Sequence, residues 1–137
     1  MKKYATLLVL ISIFSACNKT NDAIKTRIEN ADSVAINYFK GDGSMDTVVA
    51  IKIISDKEVL AQLVSQISAT STNTSTTCGI DGSLHFFKMN RVVQDIDFVM
   101  NEKECNLFSF KMTFGGPLSF TKLSPKAKEL LVSLKQK

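Results

Sequence analysis

Apolar positions change their spacing along the chain, and the changes divide it into elements. From Ser33 to Phe39 they alternate, placing Val34, Ile36 and Tyr38 on one face, and Lys40-Gly41-Asp42-Gly43-Ser44 then supplies the chemistry of a hairpin turn. Asp46 to Ile54 is the returning strand. Thr47, Val49, Ile51 and Ile53 are β-branched on one side, and only Lys52 is clearly polar on the other, so this strand reads as covered on both faces. The spacing then lengthens to that of a helix. Val59, Leu60, Leu63, Val64 and Ile67 form a single stripe, and Ser55-Asp56-Lys57-Glu58 has the form of a capping box, which predicts a helix to about Ser68. Between Ser68 and Thr77, nine of ten residues are Ser, Thr or Asn, the composition of a solvated loop.

After Cys78 the alternation returns. Strands are predicted over Ser83 to Lys88, Val92 to Met100, Leu107 to Phe114 and Leu118 to Leu123, separated by turns at Met89-Asn90, Asn101 to Glu104 and Gly115-Gly116-Pro117. Links this short make antiparallel neighbours. Leu84, Phe86, Ile96, Phe98, Met100, Phe108, Phe110, Met112 and Phe114 share the alternating positions and form an aromatic core in a chain without Trp. Ser124 as N-cap, Pro125 at the first helical position and Ala127, Leu130, Leu131 and Leu134 predict a terminal helix. The order ββαββββα gives an α+β domain over 31–137, an antiparallel sheet of about six strands with two helices on one face.

The first sixteen residues follow a different logic. Lys2 and Lys3 precede an apolar run from Ala5 to Phe14, too short to cross a bilayer core of about 30 Å, and small Ser15 and Ala16 lead to Cys17. Residues 1–16 read as an export signal. Phe14-Ser15-Ala16-Cys17 resembles the lipobox of bacterial lipoproteins of the signal peptidase II type, with Phe14 where Leu is usual. That resemblance implies cleavage before Cys17, acylation of Cys17 and a membrane attachment through its lipid, each acyl CH₂ contributing about 0.8 kcal/mol. Residues 17–30, polar and without a sustained period, then read as the lipidated cysteine and a flexible tether. Asn18 stands where Asp would imply inner-membrane retention, and no acidic cluster follows Cys17. The resemblance therefore implies a cell-envelope protein on the outer membrane, facing the periplasm.

Composition narrows the classes further. A chain of 137 residues, 45% apolar and 22% charged, makes one domain and argues against disorder. The formal charge of +4 falls to +2 once Lys2 and Lys3 are removed, too mild to imply nucleic acid. With Cys17 acylated, Cys78 and Cys105 remain as a pair in an oxidising compartment. Folding the hairpin about Met89-Asn90 brings both to one end of the sheet, so a disulfide is the leading reading over a metal site or a redox pair. Closing a loop of that length contributes about 3.5 kcal/mol in the chain-entropy model.

His85 is the chain's single histidine. It lies in phase with Ser83 and Phe87 and opposite to Leu84 and Phe86, on the face open to solvent, where Asp81, Asp95 or Asp97 would be its acidic partners in a hydrolase. Asp95 and Asp97 share one side of a strand, the pattern of a solvated face as well as of paired carboxylates. The chain holds no P-loop, G-x-S-x-G, H-E-x-x-H or G-x-G-x-x-G motif, so no catalytic residue, metal or cofactor is assigned. The run from Cys78-Gly79-Ile80-Asp81-Gly82 through His85-Phe86-Phe87-Lys88 to Leu123-Ser124-Pro125 resembles the C-terminal half of small, functionally uncharacterised Bacteroidota lipoproteins. It departs from them at Met89-Asn90-Arg91, where a Gly-containing turn is more usual. The resemblance implies architecture and location only.

These readings converge on a non-enzymatic, lipid-anchored domain that binds another protein through a sheet face or the loops near Cys78. Asp81, His85, Asn101 and Glu102 are its candidate contact residues, and the polar loop 68–77 is a further surface. Two alternatives stand beside it, a small-ligand carrier with a cavity lined by Phe86, Phe98, Phe108 and Phe110, and a small hydrolase using His85. The anchor is directly testable. A Cys17→Ala chain is expected to lose all incorporation of an alkyne-tagged fatty acid and to leave the membrane fraction, read by gel fluorescence and fractionation.

Overall fold

A strand that buries alternate residues needs a cover on one side, and a helix with one apolar stripe supplies it. The computed structural model describes residues 19–41, 45–72, 78–100 and 105–137, which form three helices and seven strands. In chain order these are α1 (Lys19–Ile28), β1 (Ser33–Phe39), β2 (Val48–Ile54), α2 (Lys57–Ile67), β3 (Ser71–Thr72), β4 (Gly82–Lys88), β5 (Arg91–Val99), β6 (Leu107–Lys111), β7 (Leu118–Lys122) and α3 (Pro125–Gln136). The sheet runs β2-β1-β4-β5-β6-β7-β3 with every neighbour antiparallel.

The α+β architecture is the one the alternation implies. Val34, Ile36 and Tyr38 of β1, Leu84 and Phe86 of β4, Ile96 and Phe98 of β5, and Phe108 and Phe110 of β6 join one buried cluster. All three helices pack into that cluster, through Ile24 and Ile28 of α1, Leu60, Leu63, Val64 and Ile67 of α2, and Ala127, Leu131 and Leu134 of α3. Each fully buried side chain of this size contributes about 1.5–3 kcal/mol. The Tyr38 hydroxyl donates to the Leu131 carbonyl oxygen at 2.7 Å, fixing α3 across β1, and burial pushes its pKa up to about 12.

Five expectations change. Residues 19–28 are helix rather than tether, because Ile24 and Ile28 lie one turn apart and are both fully buried against the sheet. The covering helices are accordingly three. The cap of α2 is Asp56 and not Ser55: its Oδ1 accepts from the amides of Glu58 and Val59 at 2.9 and 3.0 Å. Ser71 and Thr72, inside the predicted loop, form a seventh strand against β7, while 73–77 lie outside the described residues. Finally, β2 is covered on one face only, since Val49, Ile51 and Ile53 are exposed, and β6 stops at Lys111, leaving Phe114 in the turn beyond it and fully exposed.

Other local readings hold. Ser124 caps α3 by accepting from the Ala127 amide at 3.1 Å, and its hydroxyl donates to Gln66 Oε1 at 2.8 Å, joining α3 to α2. Met89 and Asn90 both have positive φ (50° and 61°), and Lys88 pairs with Arg91, which makes the β4–β5 link a two-residue turn of type I′. Cys78 and Cys105 form a disulfide with Cα atoms 6.3 Å apart. It packs with Val99, Leu107 and Phe120 into a small second cluster at one end of the sheet.

Gly82 is set by its neighbours. It pairs with both Tyr38 and Phe98, and a Cβ there would overlap the Phe98 ring and the Asn37 carbonyl oxygen. Because backbone and a fully buried ring must both give way, Gly82→Ala is expected to cost about 1–3 kcal/mol, measured as a lowered urea midpoint at unchanged slope.

Candidate functional site

The helices leave one face of the sheet uncovered, and pairing fixes which side chains meet there. Ala35 lies beside His85 and His85 beside Asp95 in one row across β1, β4 and β5. In the next row Asn37 lies beside Ser83, Ser83 beside Asp97 and Asp97 beside Ser109. Period-two alternation within β4 and β5 sets Ser83 with His85, and Asp95 with Asp97, on the same side. The polar residues thus form a tile two rows deep near the middle of the sheet.

Four of its residues are joined by hydrogen bonds through His85. His85 Nδ1 lies 2.6 Å from Asp95 Oδ1, and its Nε2 lies 3.0 Å from Ser83 Oγ and 3.2 Å from Asn37 Nδ2. A carboxylate only accepts, so Nδ1 carries the proton, and in the neutral ring Nε2 accepts from the Ser83 hydroxyl and the Asn37 amide. The His85 side chain is 31% exposed and that of Asp95 is 68% exposed, so the pair faces solvent. Asp97 is half-buried. Burial pushes its carboxyl above the usual range, the neighbouring His85 pulls it down, and Asp95 pushes it up again.

Beside the tile the sheet opens. The ladder between β5 and β6 covers only Asp97 to Val99 against Leu107 to Ser109. Beyond it the Gln94 amide bridges the strands, its Nε2 donating to the carbonyl oxygens of Asp95 and Lys111 at 2.8 and 3.0 Å. The resulting groove has a volume of about 430 Å³ and is lined by Asp95, Asp97, Ser109, Lys111 and Leu118 of the sheet, by Phe114 in the turn after β6, and by Arg27 of α1, among others. Two carboxylates, a lysine, an arginine and several apolar side chains meet in it.

Ser83, His85 and Asp95 have the connectivity of a nucleophile, a base and an orienting acid. Their setting is less suited to acyl transfer. Ser83 is only 6% exposed, and β4 is paired on both edges with β1 and β5, so its amides serve the ladders and not a developing oxyanion. Asn37 Nδ2 is the side-chain donor that remains beside it. The arrangement therefore offers fixed donors and acceptors to a partner more readily than it offers a reactive hydroxyl.

Of the candidate residues drawn from the sequence, His85 takes its place at the centre of the tile. Asp81 does not join it. It is buried just before β4, where its Oδ2 accepts from the Met100 amide at 2.8 Å while its backbone bonds Phe39 and Phe98, so the residue ties the start of β4 to the ends of β1 and β5. Asn101, Glu102 and Cys17 lie outside the described residues. Phe86, Phe98, Phe108 and Phe110, the walls of the alternative carrier, are at most 2% exposed and belong to the main core. Asn37 went unnoticed in the sequence because it reaches His85 only through the pairing of β1 with β4, forty-eight positions apart. Among the described residues, no group of three or more His, Cys, Asp and Glu is placed to hold a metal ion, and no helix is long and apolar enough to cross a membrane.

The raised Asp97 pKa has a consequence for stability. A carboxyl that holds its proton more tightly in the folded state stabilises the fold below its unfolded pKa, and that contribution is lost as pH rises through the folded one. At pH 7 the ionised Asp97 is therefore a net cost. Asp97→Asn is expected to raise the thermal midpoint at pH 7, with the gain shrinking as pH falls below the carboxylate range. A gain equal at both pH values would contradict this origin.

Comparison of the chain with known protein families, with curated proteins and with solved structures finds no match, so the functional reading comes from the geometry of this face.

Proposed function

We propose that this chain is a non-enzymatic binding domain, anchored in the cell envelope through Cys17, that takes a protein partner on the helix-free face of its sheet. The observation that carries the reading is the tile of Asn37, Ser83, His85, Asp95 and Asp97, held in register by three paired strands and bordered by a groove. A face without a helical cover needs a reason to be built this way, and fixed polar groups beside apolar ones are what a recognition surface requires. A basic side chain on the partner would relieve the cost of ionising half-buried Asp97, and the groove supplies Phe114 and Leu118 for its apolar neighbours. The lipobox-like start supports the envelope location, and the disulfide fits an oxidising compartment.

A second reading, a hydrolase, is favoured by one specific observation, the Ser83 to His85 to Asp95 chain of 3.0 and 2.6 Å contacts. One experiment separates the two. A photo-crosslinking amino acid at Lys111, on the open face, is expected to capture one dominant envelope protein in intact cells, and the same probe at Ala61 on α2 is not. Asp95→Asn should reduce the Lys111 capture about tenfold, equivalent to about 1.4 kcal/mol, while Ser83→Ala leaves most of it. Equal capture from both positions would sink the binding reading. Labelling of Ser83 by a fluorophosphonate, abolished by His85→Ala, would establish the hydrolase instead.

A further inference from the structure

An anchor at Cys17 has little slack. Lys19, where α1 begins, lies two positions after Cys17, and two residues of chain span at most about 7 Å. The helix itself is docked, with Ile24 and Ile28 fully buried. The headgroup layer on one side of a bilayer is about 6 Å deep, so an acylated Cys17 brings the start of α1 down to that layer. Contacts along α1 fix which end of the domain this is. At its start Asn21 Nδ2 donates to the Ala69 carbonyl oxygen at 3.5 Å, and beside it the Lys122 amide donates to the Thr70 carbonyl oxygen at 2.7 Å. The Leu123 amide donates to the carbonyl oxygen of Asn106 at 3.0 Å, and Asn106 follows Cys105 of the disulfide. At the far end of α1, Asp32 accepts from the Met89 amide at 2.7 Å, and Arg27 lines the groove with Thr113 and Phe114.

The two ends present different surfaces. Ala69, Thr70, Asn106 and Lys122 are exposed at the disulfide end. Opposite them Met89 is 80% exposed, Leu118 is 52% exposed and Phe114 stands clear of the domain. Apolar turns of this kind suit the interface of a bilayer, and by exposure alone the domain would lie with its groove end down. The anchor reverses that choice. β5 runs for nine residues, about 27 Å from end to end and several times the reach of the tie. We infer that the anchored domain meets the phospholipid headgroups with its disulfide end and holds its groove end about 27 Å away from them. Only the disulfide end is tied, so contact through the groove end would need an affinity of its own. This orientation rests on the anchored binding domain proposed above, and it adds the side from which a partner arrives. A protein that takes the groove approaches from the solvent side, where Met89, Phe114 and Leu118 are left for it and not for lipid.

The chain has no Trp, so a single introduced one reports its own surroundings. The full chain, purified from its own envelope, is placed in vesicles of phosphatidylethanolamine and phosphatidylglycerol with or without a lipid that carries a nitroxide on its headgroup, a short-range quencher of Trp emission. Lys122→Trp and Thr70→Trp are expected to lose most of their emission to the nitroxide. Phe114→Trp and Leu118→Trp should keep nearly all of theirs. The substituted positions are exposed, so the core stays intact, and the same variants carrying Cys17→Ala should show no difference between the two ends. Intact mass reads the acylation of Cys17 in the same samples. An unmodified Cys17 would overturn the anchor and the orientation together. With Cys17 acylated, quenching at positions 114 and 118 that equals or exceeds that at 70 and 122, or emission unchanged at every position, would overturn the orientation alone.

Discussion

The structure depends on one-sided burial. Each described helix has a single apolar stripe, and all three stripes are spent on the same side of the sheet, around Phe86, Phe98, Phe108 and Phe110. That choice dictates the rest. The alternate residues of β1, β4 and β5 are left facing outward, where polar side chains can meet one another without desolvating fully. The small cluster of Val99, Cys105 and Leu107 is the exception, an apolar patch on the outer side that the disulfide covers at one end. Rigidity of the inner face is inherited by the outer one, because both are the same seven strands.

This coupling explains how a surface cluster with one histidine becomes an ordered site. Neither Ser83 nor His85 is held by a loop; both project from a central strand whose neighbours carry Asn37 and Asp95 at the matching positions. The imidazole is clamped at both nitrogens, so its tautomer and ring orientation are set before any partner arrives. Asp97 adds stored cost, a carboxyl kept from full solvation beside a second acid. Sites that carry such a cost gain from a partner that removes it.

Most of the fold is legible in the sequence because alternation and helical stripes are local signals. The strands of the 82–122 region, the stripe of α2 and the Ser124-Pro125 start of α3 all come from patterns a few residues long. What escaped was set by tertiary structure. A ten-residue helix with only Ile24 and Ile28 to bury has no stable pattern alone and forms because the sheet accepts those two side chains. The β-branched residues of β2 match a buried strand and an edge strand equally well, and only the strand order decides between them. The site was half legible for the same reason. The phase of Ser83, His85, Asp95 and Asp97 follows from strand periodicity, whereas the addition of Asn37 and the removal of Asp81 required knowing that β1 lies beside β4.

The most direct test of the account is the chemical accessibility of Asp95 in place. Its side chain is 68% exposed in the isolated chain, and Glu58 at the start of α2 is an exposed carboxylate on the helix side. Carbodiimide labelling of intact envelopes and of the purified protein, mapped by mass spectrometry, compares the two carboxylates under both conditions. If the open face is occupied by a partner in the envelope, Asp95 is labelled in the purified protein and protected in the envelope while Glu58 is labelled in both. Equal labelling of Asp95 in envelope and in isolation would mean that the face stands free, and the central claim would fail.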